Sequence, residues 1–170
     1  LEGDLKHEDS MGNVAVIRKG DIQVMSAGTG IMHAEFNKHA DRPAKFLQIW
    51  VYPNKRNVAP RYDQRTIDVE KKHNTFQQIL SPDPSDEGVW IHQDAWFHLG
   101  TFDAGIEVVY TTKKPGNGLY LFLIRGEVSV EGQHLGERDG FGVWEITELP
   151  IKTLQSETEI LIMDVPMTLP

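Results

Sequence analysis

Short runs rich in Val, Ile, Phe, Tyr and Trp, each stopped by Gly, Asn, Asp or Pro, recur along the whole chain, and almost nothing repeats at helical spacing. β-branched and aromatic residues suit a pleated, half-buried surface, and Gly, Asn and Asp supply the backbone angles of tight turns. The expected strands are Val14–Arg18, Ile22–Ser26, Phe46–Tyr52, Ile106–Thr111, Leu119–Ile124, Glu127–Val130 and Glu159–Val165. Turns are expected at Met11–Asn13, Lys19–Asp21, Gly116–Gly118 and Glu131–Gly132. Only Thr66–Leu80 has room for a short helix or a turn of one. Many short strands at this spacing imply a sandwich or a barrel.

The two halves of the chain echo each other. Leu1-Glu2-Gly3-Asp4-Leu5-Lys6 is similar to Ile124-Arg125-Gly126-Glu127-Val128-Ser129, and a Gly/Asp turn follows each, Gly20-Asp21 and Asp139-Gly140. A duplicated barrel is the expectation. The stretch 53–84 carries four of the nine prolines. The first barrel is therefore placed at 1–60, a connecting segment at 61–84 and the second barrel at 85–170.

Cysteine is absent, which excludes disulfides and thiolate ligands. Any metal must sit on His and carboxylate groups, a donor set that suits iron, manganese, nickel, copper or catalytic zinc. The net charge of −8 sets the average surface field against a phosphate backbone, and Lys71-Lys72 and Lys113-Lys114 are isolated pairs rather than a stripe. Direct nucleic-acid binding is disfavoured. No apolar run reaches the ~18 residues of a membrane-spanning helix. With no secretory leader visible, a cytoplasmic setting is expected.

The chemistry concentrates in Gly20–Asn37, GDIQVMSAGTGIMHAEFN. His33 and Glu35 are two apart, so on a strand they share a face, while Met32, Ala34 and Phe36 take the other. Alone, a His-x-Glu on a strand is most often a solvated face with an incidental ion pair. Directed into a barrel, an unpaired carboxylate costs several kcal/mol, and a divalent cation removes that cost. Gly28 and Gly30 allow a sharp turn just before the pair.

Gly30-x2-His33-x3-Asn37, preceded by Gly20-Asp21, is similar to the second half of the cupin metal motif. SMGN at Ser10–Asn13, MSAGTGIMHAEFN at Met25–Asn37, PRYDQR at Pro60–Arg65 and EILIMDVP at Glu159–Pro166 together resemble the pirin family, and within it the bacterial quercetin 2,3-dioxygenase-like members. The resemblance implies an all-β bicupin. It implies one divalent metal ion in the first cupin, commonly iron, held by three His and one Glu. His33 and Glu35 match the third His and the Glu. The other two His belong to an HxH pair that would lie before Leu1, so the first barrel is expected to be N-terminally incomplete. This chain alone is then expected to bind metal weakly and to be inactive. The second cupin is expected to lack a metal site.

The implied activity is oxidative cleavage of a flavonol-like small molecule by O₂, with Glu35 as the catalytic general base. The alternative is a binding module whose metal tunes a surface for a protein partner. Other residues read more plainly. His92, Asp94, Trp96 and His98 alternate, and are expected on one solvated or interdomain strand face. His7 lies in a charged run and reads as exposed, His39 as loop, and His73 as part of the connection. Trp50 and Tyr52 read as core, the alternative being that Phe46, Gln48 and Trp50 line a pocket; Arg61 and Arg65 read as domain-bridging ionic residues, and Glu107 and Glu145 as ordinary surface or hydrogen-bonded residues.

Overall fold

The computed structural model describes residues 1–168 and is almost wholly β. The first half comprises β1 (Asp4–Asp9), β2 (Val14–Arg18), β3 (Asp21–Ser26), β4 (His33–Asn37) and β5 (Arg61–Thr66). A 3-10 turn, Glu70–Lys72, leads onward. The second half comprises β6 (Gln77–Ser81), β7 (Val89–Trp90), β8 (Trp96–Phe102), β9 (Glu107–Thr111), β10 (Asn117–Arg125), β11 (Val128–Val130), β12 (Gln133–Leu135), β13 (Gly140–Val143), β14 (Glu148–Thr153) and β15 (Thr158–Pro166).

Four sheets form two layered halves. The first half has a three-stranded sheet, β2-β1-β4, facing a two-stranded one, β3-β5. The second half has a six-stranded sheet, β13-β10-β15-β8-β6-β7, over a four-stranded one, β12-β11-β14-β9. The near-continuous apolar runs of β10 (LYLFLI) and β15 (EILIM) reflect burial on both faces of the larger sheet. Leu121, Leu123, Ile160 and Ile162 point into the second barrel with Phe102, Val128 and Leu149. Ile124 and Leu161 point the other way, packing with Ile79, Phe97 and Leu99 and with Ile22, Val24, Leu47 and Val51 of the first half. The central sheet is thus shared between the two cores.

Three sequence expectations change here. Phe46–Tyr52 forms no strand. Its apolar alternation still places Leu47 and Val51 against the second half, but Trp50 and Tyr52, expected in the core, are 84% and 72% exposed, and Phe46, Gln48 and Trp50 line a cavity, as the alternative had it. A β pattern needs a hydrogen-bonding neighbour, and none pairs with this run among the described residues. The segment 61–84, expected as a connection, contains two ordered strands. β5 pairs in register with β3, from Asp21↔Thr66 to Ser26↔Arg61, and β6 joins β8. The helix considered for Thr66–Leu80 shrinks to the turn at Glu70–Lys72, because Gln77–Ser81 pairs as a strand with β8 and buries Ile79 and Leu80 in the core shared with the first half.

The echoed glycines occupy equivalent tight turns. Gly3 has φ +72° and Gly126 has φ +93°. A Cβ on Gly3 would lie 2.3 Å from the carbonyl oxygen of Pro43, and one on Gly126 would lie 2.8 Å from Cα of Thr158. Both the backbone angle and the close approach exclude a side chain. Gly126→Ala is expected to destabilise the protein by about 1–3 kcal/mol, read as a lowered urea midpoint. An unchanged midpoint would show that the turn relaxes freely.

Candidate metal centre

β1 and β4 pair antiparallel, with His7 opposite Glu35 and Asp9 opposite His33. Cross-strand partners share a face, as do residues two apart. His7, Asp9, His33 and Glu35 therefore form a two-by-two block on one face of the sheet. β4 is aimed by the loop before it. Gly28 has φ +55°, and a Cβ there would lie 2.1 Å from the carbonyl oxygen of Val58. The adjacent Thr29 N–H donates to that oxygen at 3.0 Å. Ser10 then clamps the start of β4: its N–H donates to the carbonyl of Met32 at 2.8 Å, and its Oγ accepts the Met32 N–H at 3.1 Å.

His33 and Glu35 line a cavity of about 830 Å³. Glu35 is 21% exposed through its side chain. The far wall comes from the second half, with Ile79, Ile91, Phe97, Leu99, Ile124 and Leu161. A cavity of this size, apolar on the wall from the second half and lined by polar as well as apolar residues elsewhere, suits a small organic molecule.

His7 is fully buried, against the sequence expectation that the charged run Lys6–Asp9 is exposed. The signal was present: Leu5 and His7 alternate with Lys6 and Glu8, so the apolar residue places His7 on the inner face. Its Nε2 lies 3.1 Å from Oδ2 of Asp9, and its Nδ1 lies 3.5 Å from Oε1 of Glu35. Nδ1 has no hydrogen-bond partner closer than that. The ring of Tyr62, brought across by β5, stacks on His7 at 4.6 Å, and the His33 ring lies at 5.8 Å on a nearly parallel plane.

Asp9 is tied from several directions. Burial opposes its ionisation, but hydrogen bonds from the Asn13 side chain, His7 and the backbone N–H groups of Asn13 and Met11 outweigh that, holding its carboxyl at about 2. Burial, reinforced by the nearby Glu35 and Asp9 charges, pushes the Tyr62 hydroxyl up to about 12. Tyr62 therefore stays neutral and donates to Oε1 of Gln64 at 2.8 Å.

Two further expectations are corrected. His92, Asp94, Trp96 and His98 do not share a strand face, because β8 begins only at Trp96. His92 lies at the cavity wall, Asp94 pairs with Lys114, and His98 is buried in the second barrel. Of the two arginines expected to bridge the halves, Arg61 does so and Arg65 does not. Arg61 stacks on Trp90 at 3.9 Å and so spans the two halves, whereas Arg65 reaches only Asp63, at 3.9 Å. Among the described residues, no three His, Asp or Glu side chains are grouped closely enough to hold an ion together. His33 and Glu35 share the cavity-facing side of β4, with His7 behind Glu35.

Paired all-β barrels with an imidazole and a carboxylate on a cavity wall define a cupin-type bicupin. The Pirin family model matches residues 1–51, and the model for the quercetinase C-terminal cupin domain matches residues 78–165. The quercetin 2,3-dioxygenase of Escherichia coli strain K12 is 32% identical over 166 residues, covering 98% of this chain and 70% of its own length. A pirin-like protein of Caulobacter vibrioides is 32% identical over 164 residues, covering 96% of this chain and 69% of its own. The structure of the bacterial pirin YhhW from Escherichia coli in complex with nickel(II) superposes with a TM-score of 0.90 at 31% identity, over 99% of this chain and 70% of YhhW. The chain belongs to the pirin family. Among its described residues, no helix is long and apolar enough to cross a membrane.

Proposed function

We propose that this protein is a metal-dependent dioxygenase that cleaves a flavonol-like substrate with O₂, and that His33 and Glu35 hold its single divalent ion. The observation that carries the reading is the face of β4, which presents imidazole and carboxylate two residues apart to an apolar cavity of about 830 Å³. The donors fit such an ion: nitrogen and oxygen without sulfur, in a chain that contains no cysteine. Nickel is bound in the YhhW complex, and the reading takes iron or nickel here. Further His donors are proposed to come from sequence N-terminal to Leu1, in keeping with relatives of which this chain spans about 70%.

A bound divalent cation supplies Lewis acidity that eases deprotonation of a substrate hydroxyl. The rest of the work belongs to the chain. Glu35 accepts the hydroxyl proton at a carboxylate oxygen. The apolar wall of Ile79, Phe97, Leu99 and Leu161 packs against a planar aromatic substrate and excludes water from the anion that forms.

The test is aerobic consumption of quercetin by the iron- or nickel-loaded full-length protein, followed by the loss of its visible absorbance with parallel O₂ uptake. Turnover that disappears on chelation supports the reading. Stoichiometric metal loading without turnover would replace it with the alternative of a metal-dependent protein-binding module.

A further inference from the structure

His7 belongs to no assigned site, yet its side chain, like that of Asp9, is fully buried in the block around β4. Its Nε2 is anchored on Asp9 at 3.1 Å. Asp9 is itself held by the backbone N–H groups of Met11 and Asn13 and by the Asn13 side chain. The ring cannot turn freely, since Tyr62 stacks on one of its faces at 4.6 Å. Nδ1 is therefore fixed in direction. It is buried, lacks a hydrogen-bond partner, and faces Oε1 of Glu35 at 3.5 Å. Set between two carboxylates, the ring satisfies both with a proton on each nitrogen: Nε2–H donates to Asp9, and a small rotation of the Glu35 side chain lets Oε1 accept Nδ1–H, which removes the cost of an unsatisfied buried atom.

We propose that His7 is a positioning residue, a fixed socket that takes Oε1 of Glu35 and leaves the other carboxylate oxygen to the cavity. The Asp9–His7–Glu35 chain then acts as the outer support that orients a metal-binding carboxylate. Such supports fix which atom of a ligand faces the ion. The proposal rests on the reading of Glu35 as a ligand for its consequence, but not for the geometry it asserts.

Three substitutions separate the two contacts of His7. The amide nitrogen of Asn sits near the place of Nδ1, that of Gln near the place of Nε2, and Phe keeps the ring without either nitrogen. The first readout needs no metal: crystal structures of the metal-free variants. Glu35 is expected to keep its orientation in His7→Asn and to leave it in His7→Gln and His7→Phe. A Glu35 carboxylate unmoved in His7→Phe overturns the proposal, as does a folded His7→Asn in which it has swung away. The second readout is Ni(II) titration of the full-length protein and the same variants. His7→Phe is expected to lose about 10–100-fold in affinity and His7→Asn to recover most of it. Unchanged affinity in His7→Phe also overturns the proposal. Absence of Ni(II) binding in the unsubstituted protein sinks the metal reading instead, and leaves the structural readout to decide the role of His7.

Discussion

Replacing His33 by Ala, or Glu35 by Gln, is expected to remove nearly all site-specific Ni(II) binding while leaving the fold intact. His33 is exposed to the cavity, and Glu35→Gln keeps the side-chain shape, so neither change should alter the unfolding free energy by more than about 0.5 kcal/mol. The binding loss is large because each change deletes one of only two donors. No third His or carboxylate is grouped with them among the described residues. Two donors are expected to hold an ion weakly in the 170-residue chain, so the suitable measurement is NMR with paramagnetic Ni(II). The imidazole resonances of His33 and then His7 should broaden first among the seven histidines. In either variant the same broadening should need at least tenfold more Ni(II), since a lost ligand costs no less than a lost outer partner. If His39 or His134 broadened first, or if the variants titrated like the unsubstituted chain, β4 would not be the metal strand.

What the sequence revealed of this site depended on how local its geometry is. The His33/Glu35 pair lies within one strand, where period-two alternation alone shows which side chains share a face, and the glycines before it mark the turn. The contribution of β1 is not local. It depends on the register that sets His7 opposite Glu35, and a charged stretch disguised it. The fold shows the same division. Strands that carry their own turn residues, such as β2 and β11, sit where the pattern puts them. Phe46–Tyr52 has the composition of a strand but no neighbour to pair with, and pairing is a property of the whole sheet. Conversely, β5 reads as a charged linker (RYDQRT), yet the polar residues Gln64 and Thr66 make it an edge partner of β3 by hydrogen-bonding to Asp21 at 2.8 Å.

The second barrel holds a polar cluster that composition cannot reveal, and disrupting it is expected to give the largest stability loss in the protein. Asp164 is fully buried on β15, with Oδ2 accepting the Lys113 N–H at 2.6 Å and Oδ1 accepting an Asn117 amide proton at 2.6 Å. It ties β15 to the turn that launches β10. Asp164→Ala orphans both donors and opens a hole, so a loss of about 3–5 kcal/mol is expected in urea unfolding. Ni(II) binding at β4 should stay unaffected, because Asp164 belongs to the opposite face of the shared sheet.

The neighbouring His98 adds a pH dependence. Its Nδ1 lies 3.0 Å from the Tyr110 hydroxyl, which has one proton to give and lies farther, 3.5 Å, from Asp164. Burial first, and the nearby Lys113 charge second, push His98 from 6.5 down to about 4. The native state therefore keeps His98 neutral where the unfolded chain already protonates it. Stability from this group is complete above the unfolded value of 6.5 and declines as the pH falls toward about 4, by on the order of 3 kcal/mol. Burial raises the Asp164 carboxyl, which works in the opposite sense, but only where Asp164 itself takes up a proton. The unfolding free energy should fall from pH 7 to pH 5 in the unsubstituted protein and change less in His98→Gln, whose amide does not titrate. Equal slopes in the two proteins would show that the loss on acidification arises elsewhere and that His98 is charged within the native core.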